Sequence, residues 1–356
     1  MNIINNIKLS QKLIGGVVFL LLLVAIGIGS TSYYQAASAL QNQVESNIPQ
    51  VAEYGADIIA EVLEQHLATV SVLAENPDIK SMDWDRQKAA LNQMTQQNNY
   101  LGLYLGIGII SPDGALRYPD GSTNQVSDRG FFKRAIQGTA NISDVLISRV
   151  TNTPAMIIAV PIRNDKQKIS GVLLARLDAQ WLSELTDGIG FGEKGYSYII
   201  DGKGTLIAHS NRDFVLNQTN FIEEAKTKPE FTNLANMFER MTRGETGFDA
   251  YPFMGSERFF GYHPIAGTDW SMAVGAQKDD VFHLLPTMRN MIIILSLVFT
   301  MIGSLLVYLL ARSIVKPVVQ GINLAQEIAK GDFSMRLNMN RGDEIGTLAV
   351  ALDNMA

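Results

Sequence analysis

The sequence predicts an α+β fold: two tandem antiparallel-sheet modules on a long N-terminal helix, flanked by two transmembrane helices and followed by a helical segment. Three observations carry this. Leu13–Gly29 and Met291–Leu310 are almost purely apolar blocks. Between them, β-patterned runs alternate with turn signals and short helices, and this order occurs twice. After the second block, apolar residues return at the three- and four-residue steps of an amphipathic helix.

The chain has 356 residues, net charge −6, 47% hydrophobic and 18% charged residues, and no cysteine. Soluble domains carry about 25% charged residues, so position must explain the deficit. A disordered chain or a basic nucleic-acid binder is excluded, and no nucleic-acid partner is expected. Without cysteine there is no disulfide, thiolate metal site or cysteine nucleophile.

About 20 apolar residues in a helix cross the hydrocarbon core of a bilayer. Lys12 is the only charge from Gln11 to Glu45, and none lies between Arg289 and Arg312. The first block has a rival reading as a cleaved signal peptide, with Lys8 and Lys12 before it and Ala37-Ser38-Ala39 after it. Its apolar stretch exceeds a typical signal core and the helical pattern runs on past that cut, which favours an uncleaved anchor. Lys8 and Lys12 before the first span, with Arg312 and Lys316 after the second, place both ends in the cytoplasm. The expected organisation is a tail over 1–12, a span over 13–33, an outer domain over 34–288, a span over 289–311 and a cytoplasmic segment over 312–356. The first 33 residues carry +2 and the last 45 balance to zero, which leaves −8 for residues 34–311.

The outer domain opens on a helical pattern through Leu40, Val44, Ile48, Val51, Ile58, Val62, Leu67, Val70 and Leu73, with Pro49 expected to kink it. Such a helix packs on its own domain, pairs with a second copy, or both. A shorter helix follows over Trp84–Asn98. Strands are expected at Tyr100–Ile110 and Leu116–Tyr118, separated by the Pro112-Asp113-Gly114 turn, with another turn at Asp120-Gly121. A short helix capped by Asp128 runs to Gln137. Strands at Ile142–Ser148, Ala155–Arg163 and Ile169–Leu177 complete a distal module of about 80–178. The order repeats in a proximal module of about 190–277: Tyr196–Ile200, the turn over 201–204, Leu206–His209, a helix over Asn233–Thr242, then Gly247–Tyr251, Arg258–Pro264 and Trp270–Gly275. Two sheets with helices on one face are the expected layers.

The arrangement resembles the double Cache sensors of bacterial receptors, built of two PAS-like modules, over about residues 36–285. The likeness rests on Ser127-Asp128-Arg129-Gly130-Phe131-Phe132, Pro154 with Val160-Pro161, the Gly171–Asp178 run, and Gly195–Asp201 followed by Ile207-Ala208-His209. Residues 312–356 resemble a HAMP domain. Pro317 stands just past the span, Ile314, Val318, Ile322, Ala325 and Ile328 form a seam, and Gly331-Asp332-Phe333 ends the first helix. Leu337 falls in the connector. Asp343-Glu344-Ile345-Gly346 opens a second helix with Leu348, Ala351, Leu352 and Met355 as its seam. Two parallel helices bury such a seam only by dimerising into a four-helix bundle, so a homodimer is expected. A HAMP unit passes a signal onward, and since residue 356 falls inside its second helix, the output module is expected beyond it.

Arg129 is the leading ligand candidate, because a guanidinium fork pairs with a carboxylate and a helix N-terminus favours an anion. Its alternative is a structural arginine paired with Asp128. The resemblance implies a distal pocket with a tyrosine, an arginine, an aromatic pair and a late aspartate. Arg129 matches the arginine, Phe131 and Phe132 replace a Trp-Tyr pair, and Asp178 matches the aspartate that holds a ligand amino group. Asn124 stands where the tyrosine usually lies, with Tyr118 nearby as its substitute. Ser148 and Arg149 occupy another lining stretch, so two arginines and one acid favour a small carboxylate, with an amino acid still open. Asp178 has a second reading as the cap of the helix that starts near Ala179.

The glycine pattern of Gly190, Gly192 and Gly195 precedes a strand, so it is no dinucleotide fingerprint. His66, His209, His263 and His283 have no metal-ligand spacing, and no catalytic constellation, metal or cofactor is expected. The resemblance implies a multi-pass receptor of the inner (cytoplasmic) membrane, of the methyl-accepting chemotaxis type. It senses a small solute outside and signals to cytoplasmic proteins. The sensor of a histidine kinase or diguanylate cyclase is the alternative, and an anchored extracytoplasmic enzyme or adhesion domain is the rival of another class.

Overall fold

The computed structural model describes residues 9–97, 104–149 and 154–356. Lys8, the end of the predicted helix at Asn98 and the start of the predicted strand at Tyr100 lie outside them. The chain divides into two compact units, one of residues 41–282 and one of residues 1–40 with 283–356.

A single helix, α1 (Leu9–Ala74), runs through Pro49 without interruption. Short helices α2 (Pro77–Lys80) and α3 (Trp84–Gln97) follow. The first sheet contains β1 (Tyr104–Ile110), β2 (Ala115–Arg117), β3 (Thr123–Gln125), β4 (Asn141–Ile142), β5 (Leu146–Ile147), β6 (Pro154–Arg163) and β7 (Ile169–Asp178), with α4 (Gly130–Ile136) between β3 and β4. Its order is β3-β2-β1-β7-β6-β4, with β5 also on β6, and every pairing is antiparallel. After α5 (Ala179–Asp187) comes the second sheet: β8 (Tyr196–Ile200), β9 (Leu206–His209), β10 (Gly247–Phe253), β11 (Ser256–Pro264) and β12 (Ser271–Gln277), ordered β10-β11-β12-β8-β9. Helices α6 (Arg212–Leu216), α7 (Phe221–Glu224) and α8 (Thr232–Thr242) join β9 to β10, and the short α9 (Lys278–Val281) follows β12.

Two departures from the sequence reading are local. The single strand expected over Ile142–Ser148 is broken into β4 and β5, because Ser143 turns inward and its hydroxyl accepts from the Ile157 amide at 3.0 Å. The helix predicted to start under an Asp128 cap instead has Arg129 at its N-cap, with no side-chain cap bond. The Asp128 carboxylate is taken by Arg149.

The core is shared between the sheets. Ala52, Ala56, Ile59, Leu63 and Val70 of α1 are buried against Ile107, Ile158, Leu173 and Leu177 of the first sheet and Ile199, Ile207, Met272 and Val274 of the second. Of the predicted seam, Val44, Ile48 and Val70 are buried and Val51, Leu67 and Leu73 pack against the core, whereas Ile58 is exposed and Ala52, Ala56 and Ile59 carry the contact there. Approach is tightest at Gly261 in β11, where a Cβ would stand 2.6 Å from the Pro49 nitrogen of α1. Proline has no N–H to donate at this position, so the helix loses nothing there by lying against a strand. A polar tie joins the sheets directly, from the Trp270 indole Nε1 to Asp144 Oδ1 at 2.9 Å.

On its other face the second sheet buries an aromatic cluster that includes Tyr198, Phe221, Phe238, Phe253 and Phe260. His209 stands at its margin, stacked on Tyr198 and edge-on to Phe214. Its Nδ1 accepts from the Asn211 amide at 2.8 Å, which requires the neutral ring. Burial, aided by the Arg212 charge, pulls its pKa down to about 4.

In the second unit, the apolar part of α1 runs beside that of α10 (Leu284–Ala329). Both helices are long and apolar enough to cross a membrane. A connector leads from α10 to α11 (Glu344–Met355).

Ile59→Ala should destabilise the protein by about 2–5 kcal/mol, the range for a large-to-small change in a closed core. Urea unfolding should show both sheets lost in one shifted transition; separate transitions would contradict a shared core. His209 supplies a pH dependence. The unfolded imidazole takes a proton near pH 6.5 and the folded one only near 4, so stability is full above 6.5 and falls by up to about 3 kcal/mol as pH drops to 4. Urea midpoints at pH 7 and 4.5 should differ less in His209→Gln than in the wild type.

Candidate functional site

Along β7 the side chains alternate between two cores. Leu173, Ala175 and Leu177 face α1, whereas Val172 and Leu174 face α4. On that second face, Leu116, Tyr118, Val126, Phe131, Phe132 and Ala135 form a compact apolar layer. Within it lies a cavity of about 30 Å³, the room of one or two waters.

The structure brings Tyr118, Arg129, Phe131, Ser148 and Arg149 together around this cavity, with Asn124 beside them. Arg129 is half-buried and its Nη2 donates to the Ile147 carbonyl at 3.4 Å. No carboxylate lies within ion-pair distance of Arg129 among the described residues. Arg149 does not add a second free cation, since it grips Asp128 with both Nη atoms, at 2.9 and 2.6 Å, and donates to the Gln125 carbonyl. That bond holds the Asp128 carboxyl below its ordinary range. Phe132 packs in the apolar layer and is not among the residues around the cavity. The helix α4 behind Arg129 has seven residues and Lys133 and Arg134 in its last turn, so the field expected from it is weak.

Asp178 is placed elsewhere. It is the N-cap of α5, its carboxylate accepting from the Gln180 amide at 2.9 Å. It borders a larger cavity of about 440 Å³ with Leu105, Pro154, Arg176, Gln180 and Arg212.

Arg176 is the residue that the sequence reading missed. It is only 6% exposed, and its guanidinium lies 5.3 Å from the centre of the Tyr118 ring. Nη2 donates to the Leu105 carbonyl at 3.2 Å, while Nε and Nη1 have no hydrogen-bond partner among the described residues. Burial pushes the Tyr118 hydroxyl up to about 12, with Arg176 opposing part of that rise. A signal was present in the sequence: an arginine inside Gly171–Asp178, a run otherwise apolar enough to be a strand buried on both faces.

In the C-terminal segment, α10 continues through Pro317. The Asp343 side chain caps α11, accepting from the Gly346 amide at 3.0 Å, and Glu344 occupies the first turn, where a negative charge suits the helix dipole. Arg341 binds Asp343 and reaches across to the Ser313 carbonyl at 2.9 Å. At Gly346 a Cβ would lie 2.0 Å from the Arg341 carbonyl oxygen, so glycine is required for the turn to close. The connector is held by Asp353, whose carboxylate accepts from the Leu337 and Asn338 amides. Within the chain α10 and α11 pack together, Leu352 lying against Gly321, and Gly321, Leu324 and Ala349 are buried. Ile314, Ile322 and Leu348 of the predicted seam remain about half exposed.

In chain order, two antiparallel sheets stand between two helices long and apolar enough to cross a membrane, and a two-helix segment follows. Residues 36–285 match the Cache domain family and residues 309–356 the HAMP domain family. The chain belongs to the Cache-domain family, in its double (dCache) form, and carries a HAMP domain after it. Methyl-accepting chemotaxis protein PctB of Pseudomonas aeruginosa is 24% identical over 222 residues, 61% of this chain and 33% of that protein. Methyl-accepting chemotaxis protein PscA of Pseudomonas syringae pv. tomato is 22% identical over 328 residues, 90% of this chain and 50% of that protein. This chain thus spans half or less of the length of these relatives. The ligand-binding domain of the Pseudomonas fluorescens chemoreceptor CtaA, solved with L-serine, superposes with a TM-score of 0.54 at 16% identity, covering 67% of this chain and 99% of that one. The PctB domain with L-Arg gives 0.52 at 19% identity, covering 68% and 98%.

Asp178→Ala should lower stability by about 1 kcal/mol, the usual cost of a lost N-cap. Melts of the detergent-solubilised protein measure this, and an unchanged melting temperature would show that the cap bond contributes nothing.

Proposed function

We propose that this chain is the sensing and signal-converting part of a transmembrane chemoreceptor that detects a small carboxylate or amino acid outside the cytoplasmic membrane. The observation that carries the reading is the order of parts in one chain: a double Cache domain between two apolar helices, then a HAMP domain. The excess of lysine and arginine at the cytoplasmic flanks supports an outward-facing sensor over 34–288 and an inward-facing HAMP over 312–356.

The distal cavity beside Arg129 is the ligand site in this reading. Its guanidinium receives the carboxylate, Tyr118 and Phe131 wall the solute, and Ser148 offers a hydroxyl. The amine-holding role of Asp178 is weakened by its capping bond, which favours a carboxylate over an amino acid. At about 30 Å³ the cavity is too small for such a solute, so binding selects a more open state. That difference in affinity biases α10, and HAMP repacks in response. The exposed Ile314, Ile322 and Leu348 support a homodimer in which two copies bury these residues in a four-helix bundle. A methyl-accepting cytoplasmic output, which acts on further signalling proteins, is the favoured partner; a kinase or cyclase output would serve the same sensor.

The test is a thermal-shift screen of small carboxylates and amino acids against the detergent-solubilised chain. A ligand should raise the melting temperature through linkage, and Arg129→Ala should remove the shift. Equal binding by wild type and Arg129→Ala would place the site elsewhere.

A further inference from the structure

Arg176 is a permanently charged, buried group that makes no ion pair among the described residues, although it feels the charge of the exposed Asp120 carboxylate. Its side chain cannot shed its proton as a lysine would. The neighbouring charges are already engaged. Arg212, on the far wall of the 440 Å³ cavity, pairs with Asp187 through both Nη atoms. The Asp178 carboxylate caps α5, and the exposed Asp120 carboxylate is taken by the Ser122 amide and hydroxyl. Tyr118 covers the guanidinium by its ring face, which attracts a cation but accepts no conventional hydrogen bond. An uncompensated buried cation is costly to keep, and an anionic ligand that reached it would relieve that cost.

The placement of Arg176 relates it to Arg129. Residues 174 and 176 point from the same face of β7; Leu174 lines the small cavity with Arg129, and Arg176 lines the larger one. Two residues advance about 7 Å along a strand. Tyr118 touches both places, lining the small cavity and covering Arg176. The larger cavity, at about 440 Å³, lies in the size range of small-molecule sites. Among the described residues Arg129 and Arg176 are in no ion pair, and the carboxylate that borders the larger cavity, Asp178, already accepts the Gln180 amide through Oδ1.

We infer that Arg176 binds a second carboxylate, so that the solute is a small dicarboxylate held between Arg129 and Arg176 and not an α-amino acid. This rests on the receptor reading above and narrows its ligand class.

Isothermal titration of the detergent-solubilised 356-residue chain, in chloride buffer, with succinate, malate, glutarate, propionate and L-alanine tests the assignment. At least one dicarboxylate should bind about 10-fold or more tighter than propionate and L-alanine. Arg176→Met should weaken that dicarboxylate about 30-fold or more, since truncating one side of a buried charge pair has effects of this size. The same variant without ligand should melt no lower than the wild type, because it removes an unpaired cation and keeps the apolar length of the side chain. Undiminished dicarboxylate binding in Arg176→Met, a preference for L-alanine, a lower melting temperature of the unliganded variant, or no binding by any of the three dicarboxylates would each overturn the inference. Loss of binding in Arg176→Met with none in Arg129→Ala would uphold the Arg176 anion site and discard Arg129 as its partner, which separates this inference from the reading it rests on.

Discussion

The close seating of α1 on two sheets at once is the constraint on which the sensor depends. A helix whose contact stripe runs Ala52, Ala56, Ile59, Leu63, Val70 lies against strands of both sheets and closes the core on the face of each that it covers. Small residues on the helix and Gly261 on the strand set the distance. The opposite faces of the sheets are thereby left for separate business. One carries a tight apolar layer with arginines at its margins, the other an aromatic cluster with a neutral histidine at its margin.

The charge pattern of the distal face differs from what its residue list suggests. Three arginines line it, yet their situations are unlike. Arg149 is neutralised by Asp128 at the surface, where screening makes such a pair contribute little. Arg129 is half-buried and bound only to a carbonyl. Arg176 is enclosed, and its burial makes its lack of a partner energetically significant. Position, not residue type, ranks them.

Most of the fold was legible because its signals are periodic. The long strands β1, β6, β7, β8, β11 and β12 have runs of β-branched and apolar residues bounded by turns, and the structure places them within a few residues of the expected limits. The three-residue β3 was not legible, since Thr123–Gln125 carries no apolar pattern and is held only by its pairing with β2. Competition between partners misled the helix start: Asp128 is a good cap by type, but Arg149, 21 residues on, is a stronger partner for its carboxylate. Asp178 had two readings in the sequence, and its bond to Gln180 favours the local one. Tyr118, Arg129 and Ser148 were named from the family resemblance, and the structure brings them together around the small cavity. Arg176 was not, because its importance comes from enclosure and missing partners, which a linear pattern does not express.

The bond between Trp270 and Asp144 makes the two sheets poor candidates for independent exchange. Asp144 sits between β4 and β5 at the edge of the first sheet, and Trp270 immediately precedes β12, the strand that leads toward α10. A foreign first sheet would have to present a carboxylate at the place of Asp144 and fit the alanine stripe of α1, so the two sheets and their helix form one structural unit.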